Sequence, residues 1–402
     1  MEPLDWIDEE LGRRQQAGLL RTLPPPLSTA GALVEVAGKS IINFASNDYL
    51  GLAADARLSQ AAMDSFSEQG VGRGASPLVS GRSVVHEALE KRLAEFFATE
   101  SALLFPTSFA ANAGIIPALV DEGDAIYGDA KNHASIIDGC RLSRAERHIY
   151  PHVDVDALAA LLAKGKKYRR RLIVTDTLFS MDGDLAPLPQ IAELAHKHDA
   201  MLMVDEAHAV GVFGANGRGV VEHFSETHPE LLARVHVRVG SFGKALGAAG
   251  GFVCGSAALV QWLANVARTY VFSTAHPAAV SAAALLALDL VDREPARRQG
   301  LLYRAAQLRK RLNAAGWDTG RSDSQIIPVI LGSAERTMQI STQLRERGIW
   351  APGIRPPSVP AGQSLLRLGF TAGHTEEMVE RLIQGLGDIG MESGSVVPDM
   401  PK

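Results

Sequence analysis

The sequence predicts an α/β fold built on a mostly parallel sheet with helices on both faces. Three observations carry this. From about residue 100 to 255, short apolar runs alternate with helix-period segments, the pattern of successive β-α units. Runs such as Met201-Leu202-Met203-Val204 lack polar alternation, as expected of strands covered on both sides. Two strands end in reactive residues, this one and the alternating Val235 to Val239, which has polar residues between its valines. Asp205-Glu206-Ala207-His208 follows the first, and Gly240-Ser241-Phe242-Gly243-Lys244 follows Val235 to Val239. Open α/β sheets present the carboxyl ends of their strands to the ligand, so Asp205, His208 and Lys244 are expected at one rim.

Composition narrows the class. The chain has 402 residues, 46% of them hydrophobic and 21% charged, enough for a sizeable core. A net charge of −5 argues against a nucleic-acid partner. Cys140 and Cys254 form no disulfide framework and sit in no metal spacing, so no metal is expected and a reducing cytoplasm is the natural compartment. Met1 to Glu10 is acidic and does not read as a signal peptide. The longest apolar run, Ala278 to Leu288, falls well short of the roughly 20 residues that span a bilayer. The basic run Lys164 to Arg171 lacks interleaved aromatics and reads as a solvated loop.

Taken in order, residues 1–45 form an arm. Leu4, Ile7, Leu11 and Leu19-Leu20 recur at near-helical spacing up to Pro24-Pro25-Pro26. Such an arm packs on a body or a partner subunit, and Arg21 at its end is a surface charge or an anion contact. Ile41 to Ala45 reads as a strand, and Ser46 to Gly51 as a turn. The large domain, residues 46–290, then begins. His86 to Phe97 is a helix with Leu89, Leu93 and Phe96 on one face, and His86 reads as a capping or packing residue. Ala102 to Phe105 is a strand, followed through Ser108 and Phe109 by a helix from Ala110 to Leu119. The start of that helix offers free N–H groups to a phosphate. Asp124 to Tyr127 is the next strand, with Asn132 the expected N-cap of the helix after it. His133 lands near the same rim, where its flat ring suits stacking. Leu172 to Asp176 is a strand, and Ser180 in the turn that follows adds a hydroxyl. Ser273 and Thr274 precede Pro277 and an alanine-rich helix to Leu290.

After residue 291 the texture changes to a smaller α+β domain, 291–402. It holds helices at Arg293 to Ala314 and Arg336 to Arg347, strands at Ile326 to Leu331 and Leu365 to Phe370, and a last helix from His374. Arg367 alternates with apolar neighbours, and an arginine there suits bidentate grip on a carboxylate or a plain salt bridge.

An acid, an imidazole and a lysine at strand ends suit a carbonyl cofactor. The lysine amine forms an imine, and a carboxylate keeps a pyridine ring nitrogen charged, as in pyridoxal phosphate enzymes. Two other readings are weaker. Asp-Glu-Ala-His after an apolar run also fits an ATPase acid box, but the required G-x-x-x-x-G-K-[ST] loop is missing; around Gly38-Lys39-Ser40 the first glycine position is Leu33. A nicotinamide-dependent dehydrogenase lacks its G-x-G-x-x-G.

Together the motifs resemble the α-oxoamine synthases, which are fold-type-I pyridoxal-phosphate enzymes. The match runs through Ser46-Asn47-Asp48-Tyr49-Leu50-Gly51, His133-Ala134-Ser135, Phe179-Ser180-Met181-Asp182-Gly183-Asp184, Val204 to His208, Gly243-Lys244 and Leu366-Arg367-Leu368. It spans the chain from the arm to about residue 390. The stretch Ile354-Arg355-Pro356-Pro357 with Val359-Pro360 points to the branch that joins L-alanine to a pimeloyl thioester, with a glycine-using branch or another acyl-CoA as the alternative.

The resemblance implies pyridoxal 5'-phosphate as cofactor and Lys244 as the imine-forming lysine and later base, which requires its pKa to be lowered. It implies Asp205 on the ring nitrogen, His208 on the ring hydroxyl and His133 stacked on the ring. Ser108, the Phe109 backbone, Ser180 and Ser241 would hold the phosphate, with Ser273 and Thr274 supplied by the partner of a cytoplasmic homodimer with shared sites. Arg367 would clamp the amino-acid carboxylate, and Arg21, Asn47 and Ser358 would line the acyl-donor side. An inactive relative serving as a binding partner has no need of Lys244, Asp205, His133 and His208 together. Two departures stand out: Ser241 where the family often has Thr, and Val153 in place of a common Asn.

Overall fold

Strand formation follows the apolar runs, and the chain divides where their order breaks. In this computed structural model, which describes residues 2–392, one unit comprises residues 47–180 and 184–302. The other comprises the chain before Asn47, residues 181–183 and the chain from Tyr303. The strands are β1 (Leu33–Val36), β2 (Lys39–Asn43), β3 (Ser101–Phe105), β4 (Ala125–Asp129), β5 (Glu146–Tyr150), β6 (Arg171–Asp176) and β7 (Met201–Asp205). Then come β8 (Val237–Ser241), β9 (Gly251–Gly255), β10 (Ile326–Gly332), β11 (Ile349–Trp350), β12 (Gly353–Ile354) and β13 (Ser364–Gly369).

The larger unit is organised on one seven-stranded sheet, in the order β3-β9-β8-β7-β6-β4-β5. Strands β5, β4, β6, β7 and β8 pair in parallel, while β9 runs antiparallel to both β8 and β3. The mostly parallel expectation therefore holds, with one reversed strand. Strand β8 starts two residues later than its valine periodicity implies, because the helix Leu231–Arg234 runs up to Val235. Its polar position is no outward face either: Arg238 is buried with its neighbours. Residues of β3, β4, β7 and β8 pack with the helix Ser108–Leu119 into a continuous core that includes Leu103, Ile115, Ile126, Met203 and Val237.

The smaller unit holds two three-stranded sheets, β1-β2-β11 and β10-β13-β12. The hairpin β1-β2 was not evident in the sequence, and the apparent strand Ile349 to Ile354 is two short strands belonging to different sheets. The arm forms a helix over Trp6–Gln16, none of whose residues is buried.

Several local readings are corrected. His133, not Asn132, caps the helix Ala134–Leu142. Asn132 is occupied between strands, donating to the Val174 carbonyl at 2.9 Å and accepting the Asp176 N–H at 3.0 Å. In the basic run, Arg169 makes a two-point ion pair with the buried Asp124, so the run is not simply solvated. His86 does cap: its Nδ1 accepts the Ser83 N–H at 3.2 Å. Val153 adopts φ 53°, the left-handed region where Asn is tolerated and a β-branched residue is strained. That explains why its departure from Asn matters. Among the described residues, no helix is long and apolar enough to cross a membrane.

Candidate active site

Asp205 closes β7 and is buried. Its Oδ2 accepts from Asn112 Nδ2 at 2.6 Å and its Oδ1 from the Ala207 N–H at 2.8 Å. Asp176, at the end of β6, is its register partner. Burial first, and then the Asp205 charge, push the Asp176 carboxyl well above the usual carboxylate range. Its Oδ2 accepts the His133 backbone N–H at 2.6 Å. That bond sets the entry of the His133 loop against the sheet.

His133 is exposed as a residue. Desolvation nevertheless lowers its pKa, opposed by the Asp205 charge and assisted by Lys244. Lys244, half-buried in the turn after β8, is thus within electrostatic reach of both His133 and Asp176. The strand ends do bring 133, 176, 205 and 244 to one rim.

Ser241 ends β8, and its Oγ accepts the Gly243 N–H at 3.2 Å. Its register partner is Gly251. A Cβ on Gly251 would stand 2.4 Å from the Ser108 nitrogen, so only glycine lets the start of the helix Ser108–Leu119 close onto this strand. Thr107 caps that helix by accepting the Ala110 N–H at 3.0 Å. The N–H groups of its first turn, Ser108 and Phe109 among them, have no carbonyl partner within the helix. Ser180 is half-buried in the turn after β6.

His208 is buried, and its Nδ1 lies 2.7 Å from the Tyr49 hydroxyl, which is itself 3.1 Å from Asn47 Oδ1. Tyr49, fully buried, therefore bridges two expected site residues. Sequence reading placed it in a motif but gave it no role.

Ser273 is half-buried and Thr274 exposed, on the segment between the helices Arg268–Val271 and Ala278–Arg293. Arg21, Ser358 and Arg367 belong to the smaller unit. There Arg21 donates to the Ser358 hydroxyl at 3.0 Å. Arg355 donates to the Leu20 carbonyl at 2.7 Å, so a second guanidinium stands at the same junction. Arg367 is buried on β13 and its N–H donates to the Pro352 carbonyl.

A further cluster had no sequence signal beyond the residues themselves. His152 lies between two buried carboxylates, Nδ1 at 2.9 Å from Asp129 and Nε2 at 3.1 Å from Asp184. Burial opposes its charge, but the two carboxylates prevail and hold its pKa up to about 9. Asp129 also accepts the Val153 and Lys131 N–H groups. The edge of the Phe179 ring meets the His152 ring at 90°. This ion cluster clips the turn that carries Ser180 to the end of β4, from which the His133 loop departs.

The sequence pattern of aminotransferase classes I and II matches residues 39–386. The 8-amino-7-oxononanoate synthase of Anaeromyxobacter sp. (strain Fw109-5) is 50% identical, over 98% of each chain. That of Symbiobacterium thermophilum is 45% identical, over 98% of this chain and 99% of its own. Among solved structures, serine palmitoyltransferase from S. paucimobilis with a bound PLP–myriocin aldimine superposes with a TM-score of 0.91 at 30% identity, covering 98% of each chain.

Proposed function

The chain belongs to the aminotransferase class I and II family and, within it, to the 8-amino-7-oxononanoate synthases; from that premise we propose that it joins L-alanine to pimeloyl-CoA, or to a pimeloyl carrier-protein thioester, using pyridoxal 5'-phosphate. The observation that carries this reading is the rim at β7 and β8, where both the buried Asp205 carboxylate and the Lys244 amine fall within electrostatic reach of His133 and of Asp176.

The residues present suit the cofactor. A fixed carboxylate, a flat ring and an amine meet the needs of a pyridine aldehyde. The close approach of Ser108 to Gly251, across from Ser241, supplies hydroxyl and N–H donors for a phosphate. When bound, the group supplies an electron sink for the negative charge that develops at the amino-acid Cα.

The chain's own residues take the following parts. Lys244 would hold the cofactor's aldehyde, and its amine would take the amino-acid Cα proton and later return one. Asp205 would keep the ring nitrogen protonated, His208 would bind the ring hydroxyl, and His133 would stack on the ring. Ser108, Phe109, Ser180 and Ser241 would hold the phosphate, with Ser273 and Thr274 contributed across a homodimer. Arg367 holds the amino-acid carboxylate, and Arg21, Asn47 and Ser358 line the acyl-donor side. The new C–C bond forms as the thioester C–S bond breaks; the thiol leaves, and the alanine carboxyl departs as carbon dioxide. The buried free cysteines agree with a reducing cytoplasm.

Mass spectrometry of products from purified enzyme, cofactor, pimeloyl-CoA and either alanine or glycine tests the whole reading. The expected outcome is 8-amino-7-oxononanoate from alanine, with borohydride leaving a phosphopyridoxyl group on Lys244. Faster turnover with glycine would reassign the substrate, and a protein that binds no cofactor would remove the chemistry altogether.

A further inference from the structure

Asn112 stands on the helix Ser108–Leu119 and is completely buried. Its Nδ2 has two acceptors, Asp205 Oδ2 at 2.6 Å and Ser135 Oγ at 2.9 Å. An amide nitrogen carries two hydrogens and no acceptor, so it donates to both. Turned over, the amide would set its oxygen against the Asp205 carboxylate. The charge at 205 therefore fixes which way the amide points.

The direction of the remaining bonds follows. Ser135 Oγ accepts from Asn112, which leaves its single O–H for the next neighbour, His133 Nδ1, at 2.8 Å. The Ser135 backbone N–H also reaches that Nδ1, at 3.2 Å, and a backbone N–H only donates. His133 Nδ1 must hold a lone pair, and the proton of the neutral ring is on Nε2. Helix packing makes the relay possible: a Cβ on Gly139 would lie 2.7 Å from the Asn112 carbonyl oxygen, so glycine there lets the two helices approach. Among the described residues the Asn112 Oδ1 has no hydrogen-bond partner, so what this side chain supplies at its buried position is its two donors.

We propose that Asn112 is a positioning residue that ties the Asp205 carboxylate to the His133 ring, so that the charge at 205, acting with the Ser135 backbone N–H, sets the His133 tautomer and the ring presents an Nε2–H at the rim. Its catalytic meaning rests on the function proposed above, whereas the tautomer is a property of the chain alone. Asn112→Asp is the sharpest probe because it keeps the shape. The new carboxyl shares a proton with Asp205 and accepts the Ser135 O–H, which turns the hydroxyl's lone pairs toward His133 and reverses the relay.

The test is two-bond ¹H–¹⁵N correlation on ¹⁵N-histidine protein without cofactor, the His133 signal identified among the 12 histidines by its loss in His133→Gln. Wild type is expected to show the Nε2–H pattern. Asn112→Asp is expected to move His133 to the Nδ1–H or doubly protonated pattern, and the Asn112→Asp/Ser135→Ala double variant to restore the original by cutting the relay. In parallel, pyridoxal phosphate is expected to bind about 10-fold more weakly to Asn112→Asp (each tenfold is about 1.4 kcal/mol). If Asn112→Asp does not fold, Asn112→Ala carries the test, with a second tautomer expected beside the first. A wild-type Nδ1–H pattern, or an Nε2–H pattern unmoved in the folded Asn112 variant, overturns the proposal. Failure of wild type to bind pyridoxal phosphate would instead strike the functional reading and leave the tautomer result to decide this one.

Discussion

The rim of the larger unit and the arginine junction of the smaller one are held together by opposite means. At the rim, Asp205 is buried and both carboxylate oxygens are committed to donors on separate elements. At the junction, Arg21 is exposed and bonds the side chain of Ser358, itself exposed. Buried groups of fixed direction act on charge that develops during a reaction, because they need no reorganisation as it proceeds. An exposed guanidinium is screened and mobile, and serves for holding a flexible anionic substrate. The contrast predicts that rim variants lose turnover while junction variants lose affinity.

The largest effect is expected for Asp205→Asn. A neutral amide cannot hold the ring nitrogen protonated, so kcat should fall at least about 10³-fold, roughly 4 kcal/mol, with weakened cofactor retention seen by absorbance after dialysis. Near-normal turnover would show that the pyridinium pairing is misassigned.

Next comes His152→Ala, which leaves the buried Asp129 and Asp184 without their shared cation. Urea denaturation should report a loss of about 3 kcal/mol. The pH sign follows from the raised pKa: protonation favours the folded state. The contribution is complete below the ordinary histidine value near 6.5 and fades as pH rises to about 9. The stability gap between wild type and variant should therefore narrow across that window; a constant gap would mean that packing, not charge, holds the turn.

Arg21→Ala should raise KM for the acyl thioester about 10-fold with kcat nearly unchanged, the mark of uniform binding lost. A drop in kcat alone would place Arg21 with the rim residues and erase the contrast. The smallest effect is a gain. Val153→Asn relieves a β-branched residue at φ 53° and should stabilise the protein by about 1 kcal/mol. No rise in the thermal midpoint would mean the strained turn is already offset by the Val153 side chain's contacts.

The sequence was legible where physics is local. Met201 to Val204 announced a strand buried on both faces because a two-sided strand has no use for alternation, and β7 covers Met201–Asp205. His86 read as a capping or packing residue, and the cap formed because capping is settled within three residues. Asn132 misled for the same reason. It has the right chemistry for an N-cap, but bonds to Val174 and Asp176, more than 40 positions away, claim its amide first.

What the chain determined by itself was the sheet of mostly parallel strands and the reactive residues at their ends, since hydrophobic period and strand length are written residue by residue. Only the tertiary structure decided how those residues are held. Asn112 meets Asp205 across 93 positions, Tyr49 meets His208 across 159, and His152 meets Asp129 and Asp184 across 23 and 32. No local pattern encodes such pairs. They arise because close packing of buried strands and helices leaves each polar group only the partners the fold brings within reach.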